Sequence, residues 1–371
     1  MYRFRVTISV SVCESFCGNG FRDKGVPLVT TISDIARTAG VSKTTVSRVL
    51  NGNLSQVSPE TRERVQAVID RLGYTPNALA KGLKSSRTGV IGIVLSDLQN
   101  PFWTAVLDGI ERACRSFGFS IMICNACKDP QLEEEHIRGL RDRRVDGIII
   151  NPTARNSAQM KALVKAGFPV VALNRKMPDL AVETVSVDNV RGAYLATEHL
   201  IRLGRRRIAL VIYTPGGIST RLERMEGYLM ALNRCGLEVD DSLIHIVEDR
   251  KDVARALVKR ILQDARSRPD AIFSTNNLMS LEILEAIRES NVQVPRQLSL
   301  VGYDETAWSA LIDPPMTVVK QPAYEMGEQA AAHLIRQIRS GKPPAEVQTH
   351  YLEPVLIVRG SCGAGPAART G

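Results

Sequence analysis

No apolar run in the chain approaches the ~18 residues that a membrane-spanning helix needs, so neither a helical span nor a membrane partner is expected from its 371 residues. The short signatures of common catalytic machineries are also missing: no G-x-S-x-G elbow, no Walker loop and no H-E-x-x-H helix. The five histidines, His136, His199, His245, His333 and His350, lack the i, i+3 or i, i+4 spacing of a helical metal pair. Seven cysteines, an odd number, do not read as a disulfide framework. Cys124 and Cys127 form one C-x-x-C, but no second pair stands at zinc spacing and Cys124 ends an apolar run. No metal, no cofactor and no enzymatic activity are therefore expected, in a cytoplasmic protein with reduced thiols. The closing GAGPAARTG has no heptad pattern, which leaves out a tetramerising coiled coil and makes a homodimer the default.

What is present is concentrated first in Thr31–Gly52, TISDIARTAGVSKTTVSRVLNG. Thr31 and Asp34 stand at capping-box spacing before a short helix whose Ile35, Ala36 and Ala39 share one face. Gly40 and Val41 supply a turn and Ser42 a second cap. Val46, Val49 and Leu50 then form the buried stripe of a second helix and leave Lys43, Thr44, Ser47 and Arg48 outward. A third helix starts at Val57-Ser58-Pro59, with Val65, Val68, Ile69 and Leu72 inward and Gly73 as its end. Two capped helices across a tight turn, backed by a third, are the helix-turn-helix that lays its second helix in the major groove of DNA. Arg48 is the best candidate for a bidentate contact to guanine. Thr31, Ser42, Asn51 and Asn77 complete the candidate contacts on this side.

Charge agrees. Residues 29–89 hold nine Lys and Arg against four Asp and Glu, a large share of the formal +9 of the whole chain. Phosphate contacts by Arg62, Lys81, Lys84 and Arg87 would make binding strongly salt dependent. Residues 1–28 fit no part of this head and are expected to be disordered or to precede the true start near Val29; peptide mapping of the native N-terminus checks this, and an ordered or processed extension would contradict it.

After Thr88 short β-branched runs alternate with amphipathic stretches: VIGIVLS, SIMIC, GIIIN, VVAL, IALVI, AIFST and LSLVGYD. Continuous apolar strands separated by helices imply parallel sheets covered on both faces, in a number that suits two subdomains. Ligands of such sheets sit beyond the carboxyl ends of the strands. The polar residues there are Ser96, Asp97 and Asn100 with Phe102, then Asn125, Asn174 and Arg175, Asn276 and Asn277, Asp304, and Gln321. Amides, carboxylates and guanidinium groups beside an aromatic ring suit a small polyhydroxylated ligand.

The blocks GVSKTTVSRVLNG, VSPETRERV and LGYTPNALAKGL resemble the head and hinge of the lactose repressor/galactose repressor (LacI/GalR) family. From Gly89 to Gly360 the chain is similar to that family's effector domain and to periplasmic sugar-binding proteins, through IGIVLSDLQNPFW, RMEGYLMAL, IFSTNNLMSLEIL and PPMTVVKQPAYEMGEQAAAHLI. The resemblance implies an α/β protein: a three-helix helix-turn-helix head (29–75), a hinge helix (76–87), and a two-subdomain periplasmic-binding-protein-like body with parallel sheets (88–361). Its subdomains would be about 88–187 plus 323–350 and 188–320 plus 351–361, followed by a tail, 362–371. It further implies a dimer on palindromic double-stranded operator DNA, with Leu83 as a minor-groove wedge and Ala80 one turn before it, and a small sugar-like effector that releases DNA. Pro76–Lys84 is about two turns with an internal Gly82, too short to hold a helix alone in water.

By the same resemblance Arg224 grips ligand hydroxyls or a carboxylate, and Asn276, Asp304 and Gln321 are further polar ligand positions. Two departures stand out. Where relatives carry an aromatic after the strand near Ile244–Val247, this chain has Glu248-Asp249-Arg250, so a stacking residue is either absent, replaced by Arg250, or supplied by Trp308. Asn174 stands where aspartate is often found, and with Arg175 and Arg224 it tilts the pocket positive, toward a sugar acid or phosphorylated sugar. The alternative from another class is a solute-binding, sugar-sensing protein whose DNA head is not its main output.

Overall fold

A computed structural model of the chain describes residues 30–50, 52–74, 87–153, 158–177, 179–263, 268–342, 344 and 346–364. Asn51, Asn77, Ala80, Leu83 and Lys84 lie outside the described residues, as does the segment 1–28. The chain divides into two compact units, Met1–Lys81 and Gly82–Gly371.

In the first unit α1 (Ile32–Ala39), α2 (Lys43–Leu50) and α3 (Pro59–Leu72) follow one another closely. The Thr31 hydroxyl accepts from the Asp34 amide at 3.3 Å while the Asp34 carboxylate accepts from the Thr31 amide at 3.0 Å, a reciprocal capping box. Gly40 ends α1 at φ 63°, a left-handed conformation that glycine adopts without a Cβ clash. Ser58 caps α3 through the Thr61 amide, with Pro59 in the first turn. Ile35, Ala36, Ala39, Val46, Val65, Val68 and Ile69 form the small core, with Val49, Leu50 and Leu72 packed at its margin.

The second unit holds two six-stranded sheets. The first lobe contains β1 (Val90–Leu95), α4 (Phe102–Ser116), β2 (Ser120–Asn125), α5 (Pro130–Asp142), β3 (Gly147–Asn151), α6 (Ala158–Lys165), β4 (Val170–Leu173) and β5 (Glu183–Val187). The second contains α7 (Asn189–Arg202), β6 (Ile208–Tyr213), α8 (Ser219–Arg234), β7 (Ile244–Val247), α9 (Val253–Gln263), β8 (Ala271–Ser274), α10 (Asn277–Glu289), β9 (Ser299–Tyr303) and β10 (Thr317–Lys320). The chain then returns to the first lobe for α11 (Ala323–Ser340) and β11 (Thr349–Leu352), and ends in the second with β12 (Val355–Ile357).

The sheet orders are β11-β5-β4-β3-β1-β2 and β12-β10-β9-β8-β6-β7, and every pairing is parallel except β10 with β12. Because β11 runs to Leu352 beside β5, the last crossing falls at Glu353-Pro354, slightly later than the boundary expected after residue 350. Side chains alternate across each strand. In β1, Ile91, Ile93 and Leu95 join the cluster with α4 and α11, while Val94 faces the cluster that includes Ile137 and Leu140 of α5 and Met160 of α6. Burial on both faces explains the unbroken apolar runs. Among the described residues no helix is long and apolar enough to cross a membrane.

Each lobe is locked by a helix pair crossing at glycine. A Cβ on Gly327 of α11 would sit 2.0 Å from the Val106 carbonyl oxygen of α4, and one on Gly109 of α4 would sit 2.1 Å from that of Tyr324. In the second lobe a Cβ on Gly227 of α8 would lie 2.2 Å from the Val190 oxygen of α7. Backbone cannot yield as a flexible side chain can, so Gly327→Ala must spread the helices, at roughly 1–3 kcal/mol or more. Thermal unfolding followed by circular dichroism should show a transition lowered by several degrees; a transition unchanged within a degree would contradict this packing.

Candidate functional site

Within the second unit, the carboxyl ends of the strands of both lobes face one cleft, with a cavity of about 90 Å³, room for several waters. It is lined by Ser96, Asp97, Asn100, Phe102, Asn174, Arg175, Arg224, Asn276, Asp304 and Gln321, ten of the fourteen residues expected there. The other four do not line it, and of these Asn277 lies just behind, its Nδ2 donating to Asn100 Oδ1 at 2.8 Å. Asn125 ends the edge strand β2, and its amide oxygen accepts from the Cys127 amide at 3.2 Å, serving the turn. The Arg250 side chain is 72% exposed and pairs with Glu248 at 2.6 Å. Trp308 packs against the second lobe's apolar cluster around Leu298 and Met316. Neither Arg250 nor Trp308 supplies the stacking surface; the aromatic rings on the cleft are Phe102, Trp103 and Tyr213, with Arg221 over the Tyr213 ring at 5.3 Å.

Lys128, Tyr213, Thr220, Arg221, Asp249 and Thr275, none of them expected as ligand contacts, also line the cleft. Arg221 precedes Arg224 by three residues, the spacing that puts two side chains on one helical face, and Tyr213 stands at the carboxyl end of β6, where ligand groups of such sheets gather. Lys128 and Asp249 had no such signal.

Arg224 is buried. Its Nε donates to Asn189 Oδ1 at 3.0 Å, its Nη1 to the Thr275 carbonyl at 2.6 Å, and the guanidinium lies 3.7 Å from the Tyr303 ring centroid. Arg175 Nη1 donates to the Pro152 carbonyl at 2.8 Å. Burial, with Arg221 beside it, lowers the Arg175 pKa to about 10, against the pull of Asp249 and Glu133. Among the described residues neither Arg175 nor Arg224 lies within ion-pair distance of a carboxylate. Arg221 and Lys128, by contrast, share Asp249 at 2.5 and 2.7 Å.

The remaining polar groups are held by one another. Asn100 Oδ1 accepts from Asn277 Nδ2 and from the Phe102 amide, both at 2.8 Å, and its Nδ2 donates to Asp304 Oδ2 at 3.5 Å. Gln321 Nε2 donates to Asp304 Oδ1. Asn276 Oδ1 caps α10 through the Leu278 amide at 3.0 Å. Ser96 donates to Asn151 Oδ1 at 2.6 Å. Two buried cleft acceptors, Asn174 Oδ1 and Gln321 Oε1, have no hydrogen-bond partner among the described residues. Lys128, Asn174 and Asp304 all adopt positive φ, at 63°, 63° and 74°, a strained choice that clusters at functional sites.

In the first unit, Lys43 and Thr44 are exposed at the start of α2, and Ser47 and Arg48 are partly buried one turn on. Ser42 Oγ accepts from the Thr45 amide at 3.1 Å, and Thr31 is engaged in its capping box, so both hydroxyls serve helix ends. Arg87, expected on phosphate, donates to the Ile338 carbonyl at 2.5 Å within the second unit. The histidines, unrelated in sequence, are not all scattered in space: His333 and His350 converge on Glu183.

A helix-turn-helix unit joined in one chain to a two-lobed α/β body with a polar cleft defines a ligand-responsive DNA-binding protein. The profile described as bacterial regulatory proteins, lacI family, matches residues 31–77. The one described as periplasmic binding proteins and sugar binding domain of LacI family matches residues 88–353. The chain belongs to the LacI family. It is a transcriptional regulator and not an enzyme.

Similar proteins include the HTH-type transcriptional regulators DegA and KdgR of Bacillus subtilis. DegA is 35% identical over 90% of this chain and 98% of its own length; KdgR is 32% identical over 90% and 97%. The ribose operon repressor of Escherichia coli is 33% identical over 89% and 99%. Among solved structures, a complex of the transcriptional regulator CelR with cellobiose is 33% identical, with a TM-score of 0.67 over 90% of this chain and 99% of that one. The lac repressor dimer bound to operator and the anti-inducer ONPF is 27% identical, with a TM-score of 0.79 over the same shares.

Proposed function

We propose that this regulator is a homodimeric repressor of carbohydrate or sugar-acid utilisation genes, that it works in the cytoplasm, and that an anionic sugar derivative bound in the cleft releases it from a palindromic operator. The observation that carries the ligand class is the pair Arg175 and Arg224: two guanidinium groups fixed by backbone carbonyls, with no carboxylate partner among the described residues. A buried and a half-buried cation, Arg224 and Arg175, fixed in this way call for a carboxylate or phosphate, for which guanidinium geometry is well matched. Asn174 Oδ1 and Gln321 Oε1 supply acceptors for ligand hydroxyls, and Phe102 or Tyr213 an apolar face. The ribose repressor and the CelR–cellobiose complex support a sugar-like ligand in general, and the lac repressor dimer on operator supports the dimeric assembly. Free cysteines, among them Cys114, Cys124 and Cys127, suit a reducing compartment.

For the cleft, a thermal-shift panel of sugar acids, sugar phosphates and matched neutral sugars should yield its stabilising ligands among the anions. Calorimetry of the best ligand should show roughly 30-fold or greater weakening in Arg224→Ala, the loss of a buried charged partner. Stabilisation by neutral sugars alone would contradict the assignment.

For the DNA side, Lys43, Thr44 and Arg48 are assigned to base edges, and Ser47 to a phosphate or a base edge. Asn51, Asn77, Ala80, Leu83 and Lys84 follow the family likeness as head and hinge contacts. Quantitative footprinting should find that Arg48→Ala relaxes discrimination at one base-pair position by about 1–3 kcal/mol, whereas Arg62→Ala weakens all sequences alike and lowers the salt slope by about one. The reverse pattern would refute these roles.

A further inference from the structure

Three residues far apart in the chain meet at one edge of the first sheet: Glu183 at the start of β5, His350 on β11 beside it, and His333 on α11 above both. His333 Nδ1 lies 2.5 Å and His350 Nε2 3.0 Å from the same oxygen, Glu183 Oε1. The two imidazole rings stack with centroids 4.1 Å apart. The second carboxylate oxygen accepts from Gln337 Nε2 at 2.8 Å, which fixes the plane of the group. The Glu183 side chain is 9% exposed, that of His333 12% and that of His350 30%, so the trio is desolvated on one side and reachable on the other.

We propose that Glu183, His333 and His350 form a binding site for one divalent transition-metal ion of the zinc type. Their ligand atoms all lie within 4.8 Å of one another. A tetrahedral ion with metal–nitrogen and metal–oxygen bonds near 2.0–2.2 Å holds its ligand atoms about 3.3 Å apart, so small side-chain adjustments admit the ion between them. Two imidazoles and one carboxylate favour zinc, nickel, copper or iron over calcium and magnesium, which prefer all-oxygen shells. Gln337 supplies the outer hydrogen bond that ligating carboxylates characteristically have.

The position gives the site a structural meaning. β5 runs into the first crossing between the lobes, α11 begins at the second, and β11 ends at the third. An ion held by one residue from each ties together the three elements through which the lobes are joined.

Full-length protein stripped with chelator and dialysed should bind one zinc ion per chain by calorimetry, with a raised unfolding temperature. Its cobalt complex should show visible bands of nitrogen and oxygen ligation without a thiolate charge-transfer band. His350→Gln, at the most exposed of the three positions, should bind zinc at least tenfold more weakly, while a Cys124→Ser, Cys127→Ser double variant should match wild type. Absence of stoichiometric zinc binding, a thiolate band in the wild-type cobalt spectrum, or unchanged affinity in a folded His350→Gln protein would overturn the proposal. The wild-type spectrum decides the ligand type even if a variant fails to fold.

Discussion

The polar bridge across the cleft of the body is the constraint on which the rest depends. Lys128 of the first lobe pairs with Asp249 of the second at 2.7 Å, Lys176 with Glu223 at 2.7 Å, and Asn100 bonds to Asn277 and Asp304. Lys128, Asp249, Asn100 and Asp304 are also cleft-lining residues. The groups that a ligand would meet are therefore among those that hold the lobes together. Any ligand that bonds to them changes the free energy of the closed arrangement relative to an open one, which is the differential affinity a switch requires.

The rest of the body confines such a change to a few places. Helix pairs crossing at Gly109, Gly327 and Gly227 bring backbone against backbone inside each lobe, and close-packed units of this kind move as rigid bodies. The chain passes between lobes at 187–189, 320–323 and 352–355, short connections that can absorb the torsional change. Within the cleft the guanidinium groups are prepositioned by carbonyls and by the Tyr303 ring, so little order has to be created when an anion arrives.

Much of this was legible in the sequence because it rests on local chemistry. The capping residues Thr31, Ser42 and Ser58, the turn at Gly40 and the apolar stripes of the head are written in spacing alone. The central strands announce themselves because burial on both faces demands unbroken apolar runs. Their less visible neighbours are short or polar: Glu183–Val187 reads ETVSV and Thr349–Leu352 reads THYL, and β10 and β12 span four and three residues. The cleft was found where polar residues follow central strands. It was missed where a residue's direction depends on a backbone twist, as for Lys128 at φ 63°, or on which member of Glu248-Asp249-Arg250 turns inward. The meeting of Glu183, His333 and His350 depends on β11 returning from the other lobe to lie beside β5, and no local pattern could foretell that.

The central claim is that one side-chain set both binds ligand and controls the DNA-bound state. Fluorescence anisotropy of a labelled operator, selected with the full-length protein and titrated at fixed salt with and without the best ligand of the thermal-shift panel, tests it most directly. Wild type should lose operator affinity on ligand addition, within the roughly 5- to 150-fold range of allosteric couplings. Arg224→Ala should bind operator as wild type does and respond less than about twofold. An equal response in both proteins, or no response of wild type to a ligand that stabilises it, would contradict the account.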